Sequence, residues 1–170
     1  KYLFENNGLE IFKIDENDIN GGSYRIYCRK FKKGSIKLKN ENVLKMMKDF
    51  VKRVELNKIQ TINFIKKAIK KNKKIFLYGA STKGNTVLQY YGLNSSLIKY
   101  AAERSPEKWG KYTIGTGIKI ISEKQARNLK PDYFFVTPWG FIKEFKKREK
   151  KWLNKGGKFL LPFPKLKIIN

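Results

Sequence analysis

Histidine is absent from the 170 residues, and cysteine occurs once, as Cys28. The first absence closes, within this chain, every mechanism that uses imidazole as base, as orienter of a nucleophile or as metal ligand. The second excludes disulfides and thiolate zinc sites, so no metal is expected here. Cys28 lies in an alternating stretch over 24–28 and reads as a small buried apolar residue. It fits a reducing cytoplasm, the expected location. Long apolar runs are lacking too. None approaches membrane-spanning length and the N-terminus has no secretory pattern, so no membrane partner is expected.

Arginine is scarce as well. The net charge is +25, yet lysine outnumbers arginine 33 to 6. Readers of bases and phosphates lean on arginine forks. Lysine, asparagine and isoleucine share A/T-rich codons, and the lysines are scattered, with short clusters at 66–67, 70–71, 73–74 and 146–151. A basic nucleic-acid or polyanion-binding module is therefore the weaker reading, because scattered lysine is usually a solvated face.

What is present is a globular composition, 41% hydrophobic and 31% charged, long enough for one domain with a core or a domain plus a piece of another. The chain opens inside what reads as a helix stopped by Gly8, which predicts a fragment of a longer protein. A strand over 9–14, a polar corner at Asn20-Gly21-Gly22 and an alternating strand over 24–28 make a hairpin too small to stand alone. Over 41–72 the apolar stripes Val43, Met47, Phe50, Val54 and Ile59, Ile62, Ile65, Ile69 predict one broken helix or two helices. From Lys73 short strands alternate with helices: strands over 75–78, 97–103 and 133–137, an extended piece over 118–121, helices over 85–91 and from Ser122, a long basic helix over 141–154, and a last strand over 159–161. That alternation predicts an α/β, Rossmann-like parallel sheet over 73–170.

Gly79-Ala80-Ser81-Thr82-Lys83-Gly84-Asn85 carries the chemistry. A strand enters a glycine turn and leaves as a helix, which aims free N–H groups and the positive end of the helix dipole at an anion. Neither standard nucleotide template fits. A P-loop needs lysine where Asn85 stands, and the dinucleotide fingerprint needs a glycine between Gly79 and Gly84. The residues alone therefore support an anion-binding turn, or a tight turn with structural work only.

Tyr78-Gly79-Ala80-x-x-Lys83-Gly84-Asn85-Thr86 followed by Tyr91-Gly92-Leu93 resembles the C-terminal domain of the C-methyltransferases of nucleotide-linked deoxysugars. Gly21-Gly22-Ser23-x-Arg25, Phe50-x-x-Arg53-Val54, Arg104-Ser105-Pro106, Gly110-Lys111-Tyr112-Thr113 with Gly115-Thr116, Pro131-Asp132-Tyr133, Pro138-Trp139 and Gly156-Gly157-Lys158 extend the resemblance across nearly the whole chain. Departures are Gly140 where the family pattern has histidine or asparagine, Glu103 where it has aspartate, and Ile114 where it has proline.

The resemblance implies three parts: 1–34 as the last helix and hairpin of an S-adenosylmethionine-binding domain, 35–72 as a helical linker, and 73–170 as the Rossmann-like domain. It implies a parent enzyme that methylates a carbon of a nucleotide-linked keto-deoxysugar with S-adenosylmethionine. The methyl-donor loop, a histidine base beside a glutamate and a zinc region would all lie upstream. The fragment then holds no catalytic residue, binds no cofactor alone and is inactive alone. Its partners would be the nucleotide sugar and its own methyl-donor domain. Gly79–Asn85 would form the phosphate turn, with Glu103, Arg104, Tyr112, Thr113, Thr116, Pro138, Trp139 and Arg25 as sugar or nucleotide contacts. Glu103 could accept a ribose hydroxyl or pair with a neighbouring base. Trp109 and Trp139 read equally as stacking platforms or as packing. A nicotinamide-dependent oxidoreductase is the rival within α/β folds, disfavoured by the glycine spacing.

Overall fold

A computed structural model describes residues 1–19, 22–37 and 43–170, which form two compact units, 1–46 and 47–170. The Asn20-Gly21 part of the expected corner and the expected helix start at 41–42 lie outside the described residues.

In the first unit a short helix α1 (Tyr2–Glu5) leads through Gly8, at φ +71°, into β1 (Leu9–Asn17), which pairs antiparallel with β2 (Ser23–Lys30). Both strands are longer than the alternation predicted. The register slips between Ile11 and Lys13, a bulge. Glu10 is fully buried and organises the segment after β2. Its carboxylate accepts from the backbone N–H groups of Lys32, Lys33 and Gly34 at 2.6–3.0 Å and from Arg29 at 2.6 Å. Those backbone donors, with Arg29, hold its pKa down at about 2 against the opposing pull of burial.

Helix α2 (Val43–Lys70), which supplies the start of the second unit from Met47, is continuous, neither broken nor two helices. Of the expected second stripe Ile65 is buried and Ile62 and Ile69 pack against the core, joined by Asn57, Thr61 and Ala68, whereas Ile59 is 54% exposed. Of the first stripe Val43, Met47 and Phe50 face out. After it come β3 (Ile75–Tyr78), α3 (Thr82–Tyr91), β4 (Tyr100–Glu103), β5 (Lys119–Ser122), α4 (Glu123–Asn128) and β6 (Tyr133–Val136). Two short helices, α5 (Ile142–Arg148) and α6 (Lys150–Leu153), then β7 (Lys158–Leu161) and β8 (Lys167–Ile169) complete the chain.

The strands lie in the order β5-β4-β3-β6-β7-β8, all parallel except β8, which pairs antiparallel with β7. Helices α2 and α3 cover one face, burying Ile65, Ala68, Leu88 and Tyr91 against Leu77, Ala101, Phe135 and Leu160. Helices α4, α5 and α6 cover the other, burying Ala126, Phe145 and Trp152 against Tyr78, Phe134, Val136 and Phe159. This is a three-layer Rossmann-like α/β domain. From β3 the chain builds outward through β4 and β5, then crosses to β6 on the opposite side. The C-terminal ends of β3 and β6 therefore flank a topological switch point, the usual ligand crevice of open α/β sheets.

The fold departs from the sequence expectations at three further places. Leu97 and Ile98 sit in a turn, their N–H groups bonded to the Asn94 carbonyl, so β4 begins only at Tyr100. The long helix over 141–154 is interrupted at Glu149. The Glu149 side chain is 1% exposed, 2.8 Å from the Tyr78 hydroxyl and 2.7 Å from Arg127. Burial, and next the Glu149 charge, push the Tyr78 hydroxyl pKa up. The expected last strand has a successor, β8, which forms the sheet edge beyond β7.

Candidate functional site

The first contact with solvent after β3 is the bend Gly79-Ala80-Ser81. Gly79 has φ +84°, and a Cβ there would stand 3.1 Å from Pro138 Cγ, so both backbone conformation and space require glycine. Ser81 is the N-cap of α3: its hydroxyl accepts from the Gly84 N–H at 3.1 Å. The helix therefore begins at Thr82, three residues earlier than the sequence pattern suggested, and Gly84 lies inside it. A Cβ on Gly84 would come within 2.6 Å of Thr137 Oγ1, so this glycine lets α3 close on the end of β6.

The turn's donors are unequally available. Gly79 N–H donates to the Ala102 carbonyl at 2.8 Å, and Ala80 N–H donates to Glu103 Oε2 at 2.8 Å. The N–H groups of Ser81 and Thr82 have no hydrogen-bond partner among the described residues. They stand at the N-terminus of a ten-residue helix, where the macrodipole is equivalent to about +0.5 charge. The Lys83 ammonium lies 5.8 Å from the centre of the Trp139 ring, and that ring also packs on Phe163 at 5.0 Å. Pro138 and Trp139 thus border the α3 terminus from β6.

Glu103 borders it from β4, and both of its carboxylate oxygens have backbone partners. Oε1 accepts from the N–H groups of Arg104 and Ser105 at 2.9 and 3.0 Å. Oε2 takes the Ala80 N–H and pairs with Lys108 Nζ at 3.6 Å. The carboxylate thus accepts three backbone N–H groups and carries one longer ion pair. Lys108 Nζ also donates to the Ala80 carbonyl at 3.0 Å, and Trp109 Nε1 donates to the Glu103 carbonyl at 2.8 Å. Trp109, 42% exposed, is thereby tied to β4.

Other singled-out residues lie elsewhere. Arg104 is exposed just past β4. Tyr112 is exposed beside β5, where it bridges to Lys119. Thr113 and Thr116 are buried, their hydroxyls 2.6 Å apart, and Thr113 Oγ1 accepts from the Ile118 N–H. They shape the 113–118 loop. Arg25 stands on β2 in the first unit.

Two participants escaped the sequence reading. Lys108 looked like one lysine among many. Thr137 is fully buried at the end of β6, and its Oγ1 has no partner among the described residues. A buried hydroxyl left unpaired costs about 1–3 kcal/mol, so its retention asks for a reason. Its place, the last residue before Pro138-Trp139 at a parallel strand's C-terminal end, was the available signal. Among the described residues no group of three or more His, Cys, Asp or Glu side chains could hold a metal ion, and no helix is long and apolar enough to cross a membrane.

Comparison with known proteins gives two findings. Residues 18–164 match the family model described as the C-methyltransferase C-terminal domain. The C-methyltransferase NovU of Streptomyces niveus is 26% identical over 180 residues, an alignment covering 99% of this chain and 43% of the relative. The chain thus spans less than half the length of that relative.

Proposed function

Because the chain belongs to the C-methyltransferase C-terminal domain family, we propose that it is the nucleotide-sugar-holding part of an S-adenosylmethionine-dependent C-methyltransferase. In this reading 73–170 binds the diphosphate of a nucleotide-linked keto-deoxysugar, 35–72 is a linker, and 1–34 completes a methyl-donor domain. The base that removes the proton beside the keto group, the methyl-donor loop and a zinc region belong to the rest of a longer, cytoplasmic protein. The chain alone is inactive.

One observation supports the reading above the others: in a strand–turn–helix at the topological switch point the Ser81 and Thr82 amides at the α3 N-terminus have no partner among the described residues, with Lys83 beside them. Backbone amides and dipole there favour a phosphate. The chain's own residues do not fit the methyl donor or a dinucleotide. Such ligands need glycine backbone at the pyrophosphate and a free acidic side chain for ribose. Here the Ala80 N–H is taken, and Glu103 already accepts three backbone N–H groups and pairs with Lys108 at 3.6 Å. The work assigned to this chain is therefore binding and orientation: a fixed diphosphate holds the sugar's reacting carbon against groups supplied from elsewhere.

Lys83→Ala in the full-length enzyme is expected to weaken nucleotide-sugar binding roughly ten- to hundredfold, the loss of one charge-assisted contact. S-adenosylmethionine affinity should stay unchanged. Lys146→Ala and Lys150→Ala, on exposed positions of α5 and α6, should alter neither. Isothermal titration of each variant at two salt concentrations is the check. Equal weakening by all three substitutions, abolished by salt, would assign the effect to the general basic field and contradict a built phosphate site.

A further inference from the structure

The two sides of the α3 terminus differ. On the β4 side the residue placed to read a ribose is already committed: both Glu103 oxygens accept backbone N–H groups, and Lys108 and Trp109 fasten the following loop to Ala80 and Glu103. On the β6 side space is open. Beneath that surface Thr137 Oγ1 faces Gly84 in the first turn of α3, and neither it nor Asn85 Oδ1, both buried atoms, has a partner among the described residues. Just beyond, Gly140 is exposed, and a Cβ built on it would meet nothing within 4 Å.

We propose that the ligand held at the α3 N-terminus reaches it across the β6 side, over Pro138 and Gly140, and not across β4. Its bulk beyond the phosphate, a glycosyl or nucleoside group, is read by the 137–141 turn. The inference rests on the phosphate reading of α3 given above and adds the direction from which the ligand enters. It makes Gly140 a specificity-determining position: the absent side chain leaves room that a bulky diphosphate ester occupies. Inorganic pyrophosphate, with no bulk, does not need that room.

The two probes separate the claims. In the full-length protein, calorimetry would compare pyrophosphate with whichever of UDP-, dTDP-, GDP- or CDP-glucose binds tightest. Gly140→Phe should weaken the diphosphosugar by about tenfold or more through steric clash and leave pyrophosphate within about twofold. Gly140→Ala, which fills little of the space, should bind both nearly as the natural protein does. Glu107→Phe, an obstacle at an exposed position of the loop after β4, should weaken neither ligand. Diphosphosugar affinity lost in Glu107→Phe and kept in Gly140→Phe would overturn the assigned direction while leaving the phosphate site standing. Pyrophosphate binding with none of the four diphosphosugars would overturn it as well. Absence of pyrophosphate binding in the unsubstituted protein would remove the phosphate reading, and this inference with it.

Discussion

Gly157→Ala is expected to destabilise the protein by about 3 kcal/mol, a large loss for so small a substitution. Backbone conformation is not the reason, since Gly157 has no positive φ. A Cβ there would lie 2.2 Å from Trp152 Cε2 and 2.4 Å from Cδ2, inside the indole. The ring cannot easily yield. Trp152 is 8% exposed, packs on Phe134 and Phe159 at centroid distances of 4.4 and 5.4 Å, and donates its Nε1–H to the Pro131 carbonyl at 3.1 Å. Expelling it altogether would resemble Trp→Ala, about 3–5 kcal/mol, which sets the upper limit on any rearrangement. The double variant Gly157→Ala/Trp152→Ala should therefore be far less destabilised than the sum of the singles, because the clash disappears with the ring. Urea unfolding midpoints at constant m are the measurement. Full additivity would show that Gly157 matters for some reason other than the indole.

Gly84→Ala should also destabilise, by about 1–3 kcal/mol, and the sign is the informative part. Alanine inside a helix is ordinarily better than glycine by about 1 kcal/mol, so propensity alone predicts a gain. Packing predicts the opposite, because the new Cβ would stand 2.6 Å from Thr137 Oγ1 and 3.2 Å from Ser81 Oγ. Thr137 is β-branched and fully buried, which leaves its hydroxyl little room to turn. The first turn of α3 would have to move away from β6, taking the Ser81 and Thr82 amides with it, so phosphate binding should fall too. Thr137→Ala added to Gly84→Ala removes the obstructing oxygen and should restore most of the lost stability. No rescue in the double variant would mean that the close approach of α3 to β6 is not what Gly84 provides.

How much of this was legible depended on whether a residue's role is local. β3, β6 and β7 announce themselves as short apolar runs between helices because parallel strands are covered on both faces, as Leu77, Phe135 and Leu160 are. The Ser122 cap was readable because its partner, Gln125, is three residues on. The glycine turn was readable as an anion site, but Ser81 rather than Asn85 opens the helix, since a serine hydroxyl reaching the Gly84 N–H outweighs the weak propensities of Thr82 and Gly84. The break at Glu149 could not be read, because it accompanies contacts to Tyr78, 71 residues away, and to Arg127, 22 residues away. β8 was hidden for a similar reason: three residues become a strand only when β7 offers its edge. Glu103 is the instructive case at the site. Its position matched an acidic ribose reader, and only the fold shows both of its oxygens accepting backbone N–H groups, with Lys108 3.6 Å away.

The central claim is that the α3 terminus receives a diphosphate, and backbone amide resonances of the full-length protein test it most directly. Addition of a tightly binding nucleoside diphosphosugar should move the Ser81 and Thr82 amides along one saturable curve, with S-adenosylmethionine leaving both in place. Saturable binding that leaves those two amides unmoved, with shifts spread over the exposed lysines of α5 and α6, would contradict it.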